Sequence, residues 1–244
     1  MNKKTKENSI NRRQPVWKCF SGILRLFIRK PKIINLAGEL PEKAIYVANH
    51  SAMDGPVAYN LYLPAKVAPW GAYPMLGSYK ERYRYLRDVY FIQKRHKNKA
   101  AATILAGLEA LVSKYIYKGL NVLPSYNDTR FITTIRKSLK ALEEKVSVLI
   151  FPENSNDGYH EILKGFFAGF VELARCFKLR NHEDVPIVPV YYHRKKKVMV
   201  IGKPSVLTDY TDKGMNRQQI AASFCQQVNE LFLKYIKGVE PLKT

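Results

Sequence analysis

The sequence predicts a single α/β domain with a mixed, largely parallel sheet flanked by helices. Short β-type apolar runs alternate with segments of helical periodicity along most of the 244 residues, as in domains built from strand–helix–strand units. The chain is 46% hydrophobic and 12% aromatic, which is enough for one large core. Two polar segments, 49–56 and 151–158, each follow such a run. This position predicts ligand-binding loops at the carboxyl edge of the sheet.

The amino-terminal part of the chain is predicted to form a basic tail and an amphipathic helix. Residues 1–13 are polar and charged, as in a mobile tail. Residues 14–31 carry cations beside apolar residues at helical spacing, namely Trp17, Phe20, Ile23, Leu24, Phe27 and Ile28. Such a helix lies at a membrane interface, which we favour, or docks on its own domain. The α/β domain then comprises residues 32–244.

Hydrophobic periodicity places the elements of this domain in order. Strands are predicted at 32–36, 44–48, 66–70, 120–124, 146–151, 185–192 and 197–201. Helices are predicted at 57–63, 75–87, 99–118, 130–145, 165–179 and 217–236. The 99–118 helix is apolar over most of its length, so it is either part of the core or a second membrane-facing element. The basic run 194–197 is predicted to be the tip of a hairpin.

Charge and cysteine content restrict the possible partners. The 41 Lys and Arg residues against 20 Asp and Glu give a formal charge of +21, which predicts an anionic partner: a membrane surface, a phosphorylated substrate or nucleic acid. Cys19, Cys176 and Cys225 form no Cys-x-x-Cys pair, so neither a zinc site nor a disulfide framework is expected, and a reducing cytosol fits. No signal peptide and no uncharged apolar stretch of about 18 residues is evident, which argues against secretion and ordinary membrane spanning.

A histidine and an aspartate in the first polar segment are candidate catalytic residues. His50 and Asp54 are four positions apart, the spacing that places two side chains on one face of a helical turn. A carboxylate there orients the imidazole, which can take a proton from a hydroxyl attacking an acyl carbonyl. Aspartate before Gly-Pro is also typical of a helix N-cap. The pair alone therefore does not identify a catalytic site.

Three blocks together resemble the glycerophospholipid acyltransferases of the lysophosphatidate acyltransferase type. They are the segment 49–56 with its His and Asp, the Phe-Pro-Glu segment 151–153, and the Val-Pro-Ile-Val-Pro-Val strand at 185–190. The resemblance spans residues 45–204. It implies acyl transfer from a thioester of coenzyme A or acyl-carrier protein to the hydroxyl of a lysophospholipid or related glycerolipid. It also implies a peripheral or monotopic enzyme at the cytoplasmic face of the cell membrane, with no bound cofactor and no metal.

The same resemblance assigns roles to residues of the first and third blocks. His50 is expected to be the general base and Asp54 its partner. The acceptor site is expected to be lined by the residues from the end of the Phe-Pro-Glu segment onward, namely Glu153, Asn154, Ser155 and Asn156. Pro186 is expected in the strand that borders the acyl tunnel.

The chain departs from the family pattern at three places. Three residues, rather than the usual four, separate His50 from Asp54. The segment 154–156 replaces a Gly-Thr-Arg sequence, and in the middle block, which we place at 120–130 rather than at 91–95, Asn127 stands near the usual arginine. Arg130, Lys164 or backbone N–H groups can replace these arginines as ligands of an acceptor phosphate. A less charged acceptor is the other possibility.

Two other functions remain open from the sequence. A lipid- or acyl-binding protein on the same fold could have lost turnover together with the arginines. A nucleic-acid-binding protein would use the +21 charge and the basic helix at 130–145, and its binding would weaken steeply with salt. Acyl transfer is the function we favour, and no specific nucleic acid is expected.

Overall fold

One seven-stranded sheet forms the centre of the molecule. The structure, a computed structural model, describes residues 15–51, 54–154, 158 and 160–238, without the side chains of 15, 16, 18–20 and 54; the predicted tail at 1–13 lies outside them. The sheet order is β1-β7-β6-β2-β5-β3-β4. Only β6 and β7 pair antiparallel, so the predicted mixed, largely parallel sheet is confirmed. The strands are β1 Lys32–Asn35, β2 Ile45–Ala48, β3 Val67–Ala72, β4 Leu123–Ser125, β5 Ser147–Ile150, β6 Ile187–His193 and β7 Val198–Ile201.

Helices connect the strands and cover the sheet. They are α1 Pro15–Phe27, α2 Asp54–Tyr62, α3 Tyr79–Arg84, α4 Lys99–Gly119, α5 Phe131–Glu143, α6 Gly169–Asn181, α7 Thr208–Thr211 and α8 Arg217–Tyr235. A 3₁₀ turn spans Tyr73–Leu76, and α3 continues as a π-helical segment, Tyr85–Lys94. Polar caps fix several helix starts: Asn98 accepts a hydrogen bond from the Ala101 N–H, and Ser78 and Asn216 form capping boxes. Each cap satisfies backbone donors that have no intrahelical partner.

Both faces of the sheet are buried, because successive residues of the central strands alternate between two cores. Ile45, Val148 and Ile187 pack on one face with the apolar sides of α5, α6 and α8. Tyr46 and Leu149 point to the other face, where α2 and the chain leading into β2 cover them. Parallel strands buried on both faces read as continuous apolar runs. For this reason the central strands could be predicted from the sequence.

A helical layer inserted between β3 and β4 has its own small core. Leu86, Tyr90 and Phe91 of the π-helical segment pack against Met75 and the alanines of α4. These three residues follow a helical spacing, and the segment that contains them is helical. Residues 91–95 therefore do not form the strand that was considered as an alternative middle block. The middle strand lies at 123–125, slightly later than predicted, because Leu120 and Val122 still donate hydrogen bonds to carbonyls of α4.

Candidate active site

His50 and Glu153 meet at the carboxyl edge of the sheet although 103 positions separate them. β2 and β5 are parallel neighbours, so the loops that follow them leave the sheet side by side. The backbone N–H of His50 donates a hydrogen bond to Oε1 of Glu153 at 2.7 Å. The imidazole lies against Phe151, with ring centroids 5.0 Å apart. The Phe-Pro-Glu segment 151–153 therefore holds His50 in two ways: Glu153 binds its backbone N–H and Phe151 packs against its ring.

Asn49 fixes the strand end from which His50 projects. Its side-chain amide donates to the Tyr192 carbonyl at 3.0 Å, and its Oδ1 accepts from the Tyr192 N–H at 2.8 Å and from the Tyr59 hydroxyl at 2.7 Å. Asn49 is buried, so these bonds are shielded from water. They hold the end of β2 to β6 and to α2. Asn49 belongs to the first block, 49–56, but no role was assigned to it from the sequence.

We expect Asn49→Ala to lower the free energy of unfolding by about 1–3 kcal/mol, because it removes the oxygen that accepts hydrogen bonds from the buried Tyr59 hydroxyl and from the Tyr192 N–H. Urea unfolding of the variant beside wild type measures the change. Asn127→Ala is a suitable control, because Asn127 is exposed and should change stability by less than about 0.5 kcal/mol. Equal stability of all three proteins would contradict this role of Asn49.

Glu153 lies in a partly buried position that disfavours its charge. Burial raises the pKa of Glu153 to about 7, although the His50 N–H and the charge of Lys94 act in the opposite direction. Burial also lowers the pKa of Lys94, at the end of the π-helical segment, and the Glu153 carboxylate partly offsets this. A β-bridge between Glu153 and Phe166 anchors the glutamate from the far side. Lys94 is thus a charged residue of the site, and from the sequence it belonged only to the alternative middle block at 91–95.

The raised pKa of Glu153 predicts a pH-dependent stability difference from Glu153→Gln. A carboxyl whose folded-state pKa lies above its usual 4.5 stabilises the fold at low pH, and this contribution is lost as the pH rises through about 7. Relative to the glutamine variant, we expect wild type to lose about 2–3 kcal/mol of unfolding free energy between pH 4.5 and pH 8. Urea unfolding at both pH values measures it. A difference independent of pH would contradict the shift.

The predicted phosphate ligands lie farther along the same edge. Asn127 and Arg130 follow β4, three strands from β2 in the sheet order, or about 14 Å at ordinary strand spacing. Arg130 forms an ion pair with Asp128 at 2.6 Å. Its guanidinium also lies 4.5 Å from the ring centroid of Tyr73 and 4.6 Å from that of Tyr126. Arg130 is therefore held at the ends of β3 and β4, not beside His50.

The other predicted site residues fall into two groups. Asn154 and Lys164 are exposed. The Asn154 N–H donates a hydrogen bond to the Gly165 carbonyl at 3.4 Å, so both residues lie near Glu153, where the chain runs toward α6. The side chain of Asp54 and the whole of Ser155 and Asn156 lie outside the described residues. Asp54 begins α2, and its pairing with His50 stays a prediction.

A basic cleft opens beside the neighbouring strand end. The predicted hairpin tip at 194–197 joins β6 to β7, and because β6 is parallel to β2, this tip lies at the same edge as His50. The cleft has a volume of about 320 Å³ and is lined mainly by Glu161, Ile162, His193, Lys195, Lys196, Phe232, Leu233 and Lys237. His193 bonds Glu161 at 3.0 Å. The hairpin lysines thus lie at the same edge of the sheet as His50, on the side of β2 opposite Arg130.

The strand order and the burial of the sheet on both faces define a mixed, largely parallel α/β fold. The structure is similar to the crystal structure of the 1-acyl-sn-glycerophosphate (LPA) acyltransferase PlsC from Thermotoga maritima, with a TM-score of 0.50 and 13% sequence identity over 92% of this chain and 79% of that chain. At 13% sequence identity, this structural similarity establishes the fold alone. No family model and no curated protein matches the sequence significantly.

Proposed function

We propose that the protein is an O-acyltransferase that moves a fatty acyl group from a thioester to the hydroxyl of a lysophospholipid or related glycerolipid. The observation that carries this proposal is the pairing of the His50 loop with Glu153 at 2.7 Å, at the carboxyl edge of an acyltransferase-like fold. The donor is acyl-coenzyme A or acyl-carrier protein, used as a co-substrate. No bound cofactor or metal is required.

In this proposal His50 acts as the general base. Its imidazole takes the proton of the acceptor hydroxyl while that oxygen attacks the thioester carbonyl carbon. The tetrahedral intermediate carries a negative oxygen, for which the backbone N–H groups of the first turn of α2, beside His50, are suitable donors. When the carbon–sulfur bond breaks, the proton on His50 passes to the departing thiolate. An ester and a free thiol are the products.

Acceptor and membrane are recognised in this proposal by charge. Lys164 near Glu153, the hairpin lysines beyond β6 and Arg130 farther along the same edge carry positive charge, which supports an acceptor with a phosphate. The charge of +21 supports a location at an anionic bilayer, with the protein peripheral or monotopic on the cytoplasmic face. The exposed side chains Leu26 and Phe27 of α1 support contact of this helix with the bilayer.

Labelled acyl-coenzyme A and acyl-carrier protein, offered with lysophosphatidate, neutral lysolipids and glycerol phosphate on anionic vesicles, test this proposal. We expect the purified protein to form an ester from one donor with a preferred acceptor. Failure with every donor and acceptor, together with vesicle binding, would replace the proposal by the lipid-binding alternative. Salt-sensitive binding to nucleic acid without vesicle binding would replace both.

A further inference from the structure

Helix α4 packs with its small residues inward and its large apolar residues outward. Ala102, Ala106, Ala110 and Ser113 are buried against the helical layer that precedes α4. The opposite side carries large side chains that are 39–65% exposed: Ile104, Leu105, Leu108, Leu111, Val112 and Tyr115, here called the α4 face. A core helix of a soluble domain buries its large residues. An apolar stripe of this size indicates a contact surface.

The charges around the α4 face favour an anionic bilayer over a second copy of the chain. Exposed lysines stand near both ends of the stripe, Lys99 before it and Lys114 and Lys118 at its end. A second copy on this face would bring these lysines and two charges of +21 close together. Anionic headgroups instead attract such cations, by about 1 kcal/mol each, while the acyl region takes up the apolar side chains.

The neighbouring elements extend the same surface. The Tyr79 hydroxyl, itself exposed, donates to the Gly107 carbonyl of α4, and Leu76 before it is also exposed. At the other end of α4, Trp17 of α1 lies directly over Gly119, where an added Cβ would be 2.2 Å from the indole. The amphipathic helix α1 and the α4 face are therefore joined at one end of α4.

The dimensions of the α4 face fit a helix lying in the membrane plane. Among the helices of the described residues, α4 is the one that is long and apolar enough to cross a bilayer by length and composition. Of its most apolar stretch, 22% is buried inside the protein. However, the stripe from Ile104 to Tyr115 is only about 17 Å long, and its other side is packed on the domain. A stripe of this length is too short to cross a hydrocarbon core that is about 30 Å thick, whereas its exposure on one side of the helix suits a helix that lies in the membrane plane.

We propose that the α4 face docks into the headgroup–acyl boundary of an anionic bilayer and sets the position of the candidate active site at its surface. Behind α4 lies the π-helical segment, which ends at Lys94 beside Glu153. The docked helix therefore lies one helix layer from the site, so that an acceptor lipid can reach His50 from the leaflet. This inference rests on the proposed membrane location, but its test measures binding and not acyl transfer.

Vesicle flotation with a charge-matched pair of variants tests the docking. Leu108→Glu with Leu111→Glu changes two exposed residues of the α4 face. The control, Ile132→Glu with Leu179→Glu, adds the same two negative charges at exposed apolar residues of α5 and α6. On vesicles of phosphatidylcholine with phosphatidylglycerol, we expect the α4 variant to bind at least about tenfold more weakly than wild type. We expect the control to stay within about threefold of wild type.

Thermal unfolding of both variants shows whether they remain folded, as expected for exposed positions. Equal weakening of the α4 variant and the control would overturn the proposal, since charge and not the α4 face would then explain binding. Sedimentation that finds a wild-type dimer and a monomeric α4 variant would also overturn it, in favour of a second copy as the occupant. Acyl transfer to soluble glycerol phosphate by the α4 variant would separate a failure of docking from a failure of the enzyme.

Discussion

Replacing His50 by alanine is expected to lower the rate of acyl transfer by about 10²- to 10⁴-fold, the usual contribution of a positioned general base. The acceptor hydroxyl would lose the group that takes its proton, whereas the Glu153 contact would persist, because it uses the backbone N–H of residue 50. Initial rates with a labelled thioester, over a range of acceptor concentrations, measure the effect. We expect the loss in kcat, with KM changed little.

His160→Ala is the control for this variant. His160 is exposed and lies on the loop that follows the Phe-Pro-Glu segment, so its removal should leave transfer within about twofold of wild type. Thermal unfolding of the His50 variant measures the stability lost with its ring contact to Phe151, a contact worth about 1 kcal/mol. Full activity of the His50 variant would show that another group is the base.

The central sheet could be predicted from the sequence because its strands are buried on both sides. Continuous apolar runs such as those of β2 and β5 have little alternative to a central position in a parallel sheet. Their loops then had to meet at the same edge, which is why His50 and Glu153 could be assigned to one site. Strand order could not be predicted, because non-local pairing leaves no mark in the sequence.

The parts of the site that the sequence missed depend on docking between distant elements. Lys94 reaches Glu153 only because the helical layer between β3 and β4 folds against the sheet edge, and its apolar spacing resembles a short strand. Residues 194–197 were predicted as a hairpin tip, but their position at the same sheet edge as His50 follows from the parallel pairing of β6 with β2. Conversely, Arg130 follows the middle strand as predicted, yet that strand lies at the end of the sheet.

Among substitutions that add a single methyl group near the site, Gly55→Ala is expected to lower the free energy of unfolding the most. A Cβ at this position would lie 1.9 Å from the His50 carbonyl oxygen and 2.8 Å from its carbonyl carbon. Both are backbone atoms at the end of β2, so they cannot swing away as a side chain could. Either α2 or the His50 loop must move by more than 1 Å, which we expect to cost about 3 kcal/mol of unfolding free energy.

The same displacement is expected to reduce acyl transfer by about 10²-fold even where the protein stays folded, because a general base works only within hydrogen-bond reach of its proton. Gly165→Ala is the matched control: within the part of the chain that the structure describes, a Cβ there finds no heavy atom within 4 Å, although Gly165 lies in the segment paired with Glu153. Urea unfolding and transfer assays on both variants measure the two effects separately. Wild-type stability in Gly55→Ala would contradict the close approach of α2 to His50. Wild-type transfer in a destabilised Gly55→Ala protein would show instead that α2, and not the His50 loop, takes up the displacement.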